Sequence, residues 1–237
     1  MFRIDTPDSA YHDVWIVIPA FNEASVIADV VADVRAVFPN VVCVDDGSPD
    51  DTGERALRAG AHVVRHPVNL GQGAAIQTGV EYARSRPGAA VFATFDADGQ
   101  HRVKDVIGMI DRLSVDDLDV VVGTRFGGQA PTKMPPLRRV LFPLIAKLSP
   151  ASRKLGLTDA HNGLRVFGRT VADGLNLTMS GMSHASEFIS LIVENGWRVA
   201  EEPVEIIYTD YSMSKGQPLV NGVNIVFDGL MRRRMRR

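Results

Sequence analysis

Cysteine is almost missing from this chain: Cys43 stands alone among 237 residues. One thiol excludes an internal disulfide, and its place in the apolar run Val41 to Val44 predicts a buried, reduced core residue. Charge of one sign is also scarce. Lysine and arginine total 26 against 28 aspartates and glutamates, a formal net charge of -2, which gives no support to nucleic acid as a partner. Long apolar runs are lacking too, since no stretch of about eighteen residues escapes a charge, and no bilayer-spanning helix is expected. The opening Met1-Phe2-Arg3-Ile4-Asp5 lacks the basic-then-apolar form of a signal peptide. The expectation is a cytoplasmic protein, at most peripheral at the inner face of the cell membrane. Two phosphate signatures are absent as well. Where G-x-G-x-x-G would follow the first strand stands Pro19-Ala20-Phe21-Asn22-Glu23, and no G-x-x-x-x-G-K-[ST] loop occurs. Dinucleotide-binding and P-loop readings fall away with them, and so does the glycine-rich opening of a sugar nucleotidyltransferase.

What is present suits one α/β domain. Hydrophobic residues make up 45% and charged residues 23% of the chain, an ordinary globular balance at a length that one core can serve. Short β-branched runs (Val14–Ile18, Val41–Val44, Ala61–Val64, Ala90–Phe95, Val120–Val122) alternate with helical spacing at Ala24–Val37, Asp51–Ala59, Ala74–Arg84 and Val103–Leu113. Apolar strands separated by helices predict a mainly parallel sheet covered on both faces, with chemistry at its carboxyl edge. Past Gly123, Pro131, Pro135 and Pro136 mark a loop, and Leu137–Leu148 has the pattern of an amphipathic helix with Pro143 as a kink point. Ser186–Glu194 reads as helix and Trp197–Ile207 as strand. Gly216 and Pro218 mark a second loop. The final Arg232-Arg233-Arg234-Met235-Arg236-Arg237, after the mostly apolar Val223 to Met231, fits either a helix on an anionic membrane surface or a solvated tail. The division expected is a domain over 1–210 and a flexible loop with basic tail over 211–237.

Acidic residues stand where strands end. Asp45-Asp46-Gly47-Ser48 follows the second strand, where carboxylates can accept hydrogen bonds from a ribose or base. Asp96-Ala97-Asp98 follows the fourth. Residues i and i+2 of an extended chain project to one side, so Asp96 and Asp98 would face one point. Such a pair repels itself unless a cation intervenes. A hard divalent ion such as magnesium takes one or two carboxylates plus substrate phosphates, and the Gln100 carboxamide offers another oxygen.

Six segments then stand in order: Ile18-Pro19-Ala20-Phe21-Asn22-Glu23, Val44-Asp45-Asp46-Gly47-Ser48, Asn69-Leu70-Gly71-Gln72-Gly73, Asp96-Ala97-Asp98-Gly99-Gln100-His101, Val122-Gly123-Thr124-Arg125-Phe126 and Asp159-Ala160-His161-Asn162-Gly163-Leu164-Arg165. From about Val14 to Tyr208 the chain resembles family-2 glycosyltransferases of the GT-A fold, nearest the polyprenyl-phosphate hexosyltransferase branch (dolichol-phosphate mannose synthase-like). The resemblance implies that Pro19, Ala20, Glu23 and Asp46 hold the donor nucleoside, with Gly73 beside it. It implies that Asp96, Asp98 and Gln100 hold Mg2+ or Mn2+ and, through it, the diphosphate. Arg125 would face the acceptor phosphate or the donor diphosphate, and Asp159 the sugar and acceptor, with His161 and Arg165 on the acceptor side. Ser214-Lys215 resembles a segment that closes over the diphosphate. Family members often carry lysine at the position of Gln72 and an apolar residue at that of Gly99.

Three functions follow as expectations. The first is an inverting transfer of a hexose from a UDP-, GDP- or TDP-sugar to a polyprenyl phosphate. The second keeps the donor but uses a sugar hydroxyl of a glycan or glycolipid, with Asp159 as general base. The third is a catalytically silent scaffold of the same fold, against which the intact acid pair argues. A homo-oligomer is compatible with each. Plainer roles are expected elsewhere: Asp45 and Asp50 in a turn and a helix start, and Gly71 and Gly73 easing entry into the third helix. His62 and His66 are expected in surface loops, and Arg138 and Arg139 on a solvated helix face. His101 caps the following helix or contacts the metal. His184, like His161, is assigned either to the acceptor pocket or to an ordinary polar role.

Overall fold

The computed structural model describes residues 10–126, 150–179 and 183–207. Its strands are β1 (Val14–Ala20), β2 (Asn40–Asp45), β3 (His62–Arg65), β4 (Val91–Thr94), β5 (Val120–Thr124), β6 (Arg165–Gly168) and β7 (Val199–Pro203). Between them lie α1 (Ile27–Arg35), α2 (Thr52–Arg58), α3 (Gln72–Arg84), α4 (Val103–Val115), α5 (Pro150–Leu155), α6 (Arg169–Gly174) and α7 (Ser183–Asn195). Among the described residues all strands join one seven-stranded sheet in the order β3-β2-β1-β4-β6-β5-β7. Pairings are parallel except those of β6, which runs antiparallel between β4 and β5. The mainly parallel expectation holds. β6 is the strand that the sequence pattern did not reveal.

The side-chain period of two sorts β1 into two cores. Val14, Ile16, Ile18 and Ala20 pack with Ile27, Val30, Val31 and Val34 of α1 and Val106, Met109 and Leu113 of α4. Trp15 and Val17 face the other way, toward Ala75, Ile76, Val80 and Ala83 of α3 and Phe188, Ile189 and Ile192 of α7. Each fully buried aliphatic side chain such as Ile16 contributes about 1.5–3 kcal/mol, and two covered faces explain why β1 is apolar throughout. Gly79 lets α3 lie close to the sheet, because a Cβ there would fall 2.4 Å from Val17 Cγ1. Cys43 is fully buried in β2, as expected.

Strand order reverses between β1 and β4, and the strands part there. Their register ends at Val17↔Thr94, followed by the bond from Phe95 N–H to Val17 C=O. Pro19 points its missing N–H toward the same side, where β4 has already left, so a proline is tolerated in an interior strand. The gap opens at the carboxyl ends, where open α/β sheets bind ligands. The loop at Pro131–Pro136, the helix at Leu137–Leu148 with Arg138 and Arg139, Ser214-Lys215 and the basic tail lie outside the described residues. Among the described residues no helix is long and apolar enough to cross a membrane.

Candidate active site

The wall beyond β1 and β2 is built from acids bonded to backbone. Asp45 Oδ1 accepts the Ser48 N–H at 2.9 Å, and Ser48 Oγ accepts the Asn22 N–H at 3.0 Å. Asp50 accepts from Ala24 N and Thr52 N, while Thr52 Oγ1 accepts the Glu23 N–H at 2.8 Å. These bonds give Asp45 and Asp50 the turn and helix-start roles expected of them. They also fix Glu23 beside the crevice, while Pro19 and Ala20 are buried at its floor.

Asp46 is engaged by the segment that follows β3. Its carboxylate accepts the N–H groups of Leu70 and Gly71 at 2.9 and 2.7 Å and lies 2.7 Å from His66 Nδ1. The other imidazole nitrogen, Nε2, lies 3.0 Å from Thr78 Oγ1. His66 is therefore no surface-loop residue. It is buried, and with Asp46 it clamps the segment from β3 to α3 against the end of β2. Asp46 engages this loop rather than standing open to solvent. His62 lies in β3, not in a loop, close to the rings of Trp15 and Tyr82. Gly47, at φ 72°, passes under that same segment, where a Cβ would fall 2.5 Å from the Val68 carbonyl carbon. Gly73 is placed by packing, because a Cβ would fall 2.3 Å from Met179 O and 2.7 Å from His184 Cβ. It is buried against those residues.

Asp96 and Asp98 stand past the end of β4. Gln72 Nε2 donates to Asp96 Oδ1 at 3.1 Å, and His101 Nε2 lies 2.9 Å from Asp96 Oδ2. His101 thus does not cap α4, which has no side-chain cap bond: it braces Asp96, its ring edge-on to Phe95. Burial pushes the Asp96 carboxyl up, but the bond and charge of His101, with His184 and Arg165, bring it below its ordinary value. Asp98 goes the other way, to about 6, through burial and then the charge of Asp96, against the bond from Gln100 N–H. Gly99 adopts φ 73° between them, which accounts for glycine there. The Gln100 carbonyl accepts the Ile207 N–H at 2.8 Å.

A second centre faces the first from the ends of β5 and the segment before β6. Arg125 Nε and Nη2 each donate to a different oxygen of Asp159 at 2.6 Å, and Arg125 N–H adds a bond of 3.0 Å. Asp159 is 2% exposed, so this is a desolvated bidentate pair. Glu201 of β7 pins the turn from behind by accepting from Thr158 N, Thr158 Oγ1 and Asp159 N. The expectation of Asp159 as a general base meets a physical obstacle here, since both its oxygens already accept from a guanidinium. His161 lies 3.2 Å from Ser186 Oγ of α7, and burial, then the charge of Arg165, lowers its pKa. Arg165, expected on the acceptor side, is buried, its guanidinium lying over the Phe188 ring.

Whether a metal fits depends on donor chemistry. Among the described residues no three of His, Cys, Asp and Glu gather into a closed cage. Two carboxylates, one raised by the charge of the other, suit a hard cation that completes its shell with phosphate oxygens. The pair fits that open mode of binding, with Gln100 adjacent.

Comparison with known proteins agrees with this geometry. The family model described as Glycosyl transferase family 2 matches residues 15–175. A UDP-N-acetylglucosamine–dolichyl-phosphate N-acetylglucosaminyltransferase of Methanococcus voltae is 30% identical, covering 92% of this chain and 95% of its own. The polyprenol monophosphomannose synthase of Mycolicibacterium smegmatis is 27% identical over 89% of this chain and 82% of its own. Glucosyl-3-phosphoglycerate synthase of Mycobacterium tuberculosis, solved with Mn2+ and UDP-glucose, superposes with a TM-score of 0.68 at 20% identity, covering 92% of this chain and 77% of that one. That last likeness is one of fold, the GT-A fold.

Proposed function

The chain belongs to glycosyltransferase family 2, and from that premise we propose that it is an inverting hexosyltransferase carrying a sugar from a nucleoside-diphosphate donor to a polyprenyl phosphate. The observation that carries the choice of acceptor is the Arg125–Asp159 pair. A hydroxyl acceptor needs a base to take its proton, and the candidate base spends both oxygens on Arg125. A phosphate arrives already ionised and needs none. Two relatives whose names carry a polyprenyl- or dolichyl-phosphate acceptor support the same choice.

In this reading the donor lies along the ends of β1 and β2, against Pro19, Ala20 and Glu23, with Asp46 acting through the loop it holds. Asp96, Asp98 and Gln100 would hold Mg2+ or Mn2+, which when bound neutralises charge growing on the departing nucleoside diphosphate. The acceptor phosphate oxygen attacks the anomeric carbon from the face opposite that group. The new C–O bond forms as the old one breaks, and the centre inverts. Asp159 aims Arg125 at the acceptor phosphate, and His161 borders that side. By resemblance Lys215 would close over the diphosphate, and by composition the basic tail would suit contact with the inner membrane face.

Incubation of the purified chain with labelled UDP-, GDP- and TDP-hexoses, Mn2+ or Mg2+ and a polyprenyl phosphate tests this. Label should pass into the organic phase for one donor and fail to do so with EDTA. Label transferred only to a water-soluble glycan would sink the acceptor assignment, and transfer undiminished by EDTA the metal assignment.

A further inference from the structure

Arg165 opens β6, with Thr94 of β4 and Val122 of β5 as register partners, and is 1% exposed. Its guanidinium carbon lies 4.8 Å over the Phe188 ring centroid. Nη2 reaches Ala160 C=O only at 3.5 Å, and Nε and Nη1 have no hydrogen-bond partner among the described residues. A guanidinium taken out of water normally spends its rigid fork of donors on a carboxylate, and leaving one unsatisfied is costly. Among the described residues, hydrogen bonding therefore does not explain a cation here.

Its neighbours offer another reason. Thr94 Oγ1 donates to Gly163 C=O at 2.6 Å, and a Cβ on Gly163 would fall 2.3 Å from Asp96 Oδ2. The segment leading into Arg165 thus runs against the Asp96 carboxylate. Asp96 and Asp159 are the acids whose charge reaches the guanidinium, which burial lowers to about 10, still a cation at neutral pH.

We infer that Arg165 is a resident counter-charge for Asp96 of the acid pair, a positioning residue that weakens the pair's hold on a divalent cation until a nucleoside diphosphate arrives with it. The inference rests on the metal reading given above. Without nucleotide, a cation approaching the pair meets a fixed positive charge behind it, in surroundings that salt screens poorly. A diphosphate adds negative charge on the open side and tips the balance. Because Arg165 makes no hydrogen bond to either carboxylate, it acts through charge, unlike His101, which braces Asp96 directly.

Isothermal titration of Mn2+ into the full chain, alone and with saturating UDP or GDP, tests this. The wild type should bind Mn2+ about tenfold or more tightly with one nucleotide than without. Arg165→Met should bind Mn2+ alone about tenfold more tightly than wild type, and the strengthening by nucleotide should shrink, because in the ternary complex the diphosphate already offsets the charge of Arg165 and less is gained by removing it. Arg165→Lys, which keeps the charge, should stay near wild type. A folded Arg165→Met with wild-type Mn2+ affinity would overturn the inference. If the methionine variant does not fold by circular dichroism, Arg165→Gln replaces it, and the wild-type arm still decides: equal Mn2+ affinity with and without nucleotide also overturns it. Absence of Mn2+ binding under every condition removes the metal reading itself, and the inference with it. Asp98→Asn, expected to lose the Mn2+ heat, identifies the signal with this site.

Discussion

At the scale of single residues, Asp98 and Asp159 are acids set to different work by their surroundings. Asp98 is raised to about 6 by burial and the charge of Asp96. A raised carboxyl binds its proton more tightly folded than unfolded, so it favours the fold at low pH, and that contribution is lost as pH rises through about 6. In EDTA at pH 7, Asp98→Asn should therefore raise Tm while abolishing transfer, and the gain should vanish below about pH 4. A Tm lowered at pH 7 would mean that the carboxylate is structural. Asp159 is held by a fork that lysine cannot reproduce. Arg125→Lys should lower kcat/KM for the lipid-phosphate acceptor about tenfold or more, with donor KM little changed; a loss confined to donor KM would move Arg125 to the diphosphate. The acid pair was legible in the sequence because i and i+2 spacing past a strand is local. The Arg125–Asp159 pair was not, because its partners lie 34 positions apart and each alone resembles a ligand-binding residue.

At the scale of elements, the loop between β3 and α3 depends on one buried cluster. Asp46 receives two backbone N–H groups and faces His66, which spans to Thr78. His66→Ala leaves a buried carboxylate short of one partner, a loss of about 1–3 kcal/mol. Calorimetry should show a Tm lower by several degrees, and donor KM should rise because the loop flanks the wall proposed to hold the donor nucleoside. An unchanged donor KM would make the cluster purely structural. Five of the strands follow from apolar runs bounded by turn residues, and β7 lies within its predicted stretch. β6 did not announce itself. It is four residues long, begins with Arg165 and ends with Gly168, so neither run nor alternation marks it. It is a strand because β4 and β5 flank it on both sides.

At the scale of the whole molecule, the proposed site lies where the sheet changes direction. β1 and β4 part after Val17↔Thr94, and the segments that resemblance singles out return to that gap from β1, β2, β4, β5 and the approach to β6. Sequence order gave the family, because six motifs in series are specific. It could not give burial, which depends on what a long-range fold lays on top; His66 was misplaced for that reason, and the burial of Arg165 was not foreseen. The same burial gives the chain a reporter on its own integrity. Cys43 lies in an interior strand, and burial, then the charge of Asp45, pushes its thiol up to about 12. Since the thiolate is the reactive form, an alkylating reagent should modify the folded chain only as fast as the sheet opens. Mass-spectrometric labelling rates measured across denaturant should track global unfolding, and donor binding should slow them. Labelling at the rate of a free thiol in native buffer would show that the centre of this sheet breathes. A solitary cysteine, unremarkable as a count, thereby becomes a clock for the fold.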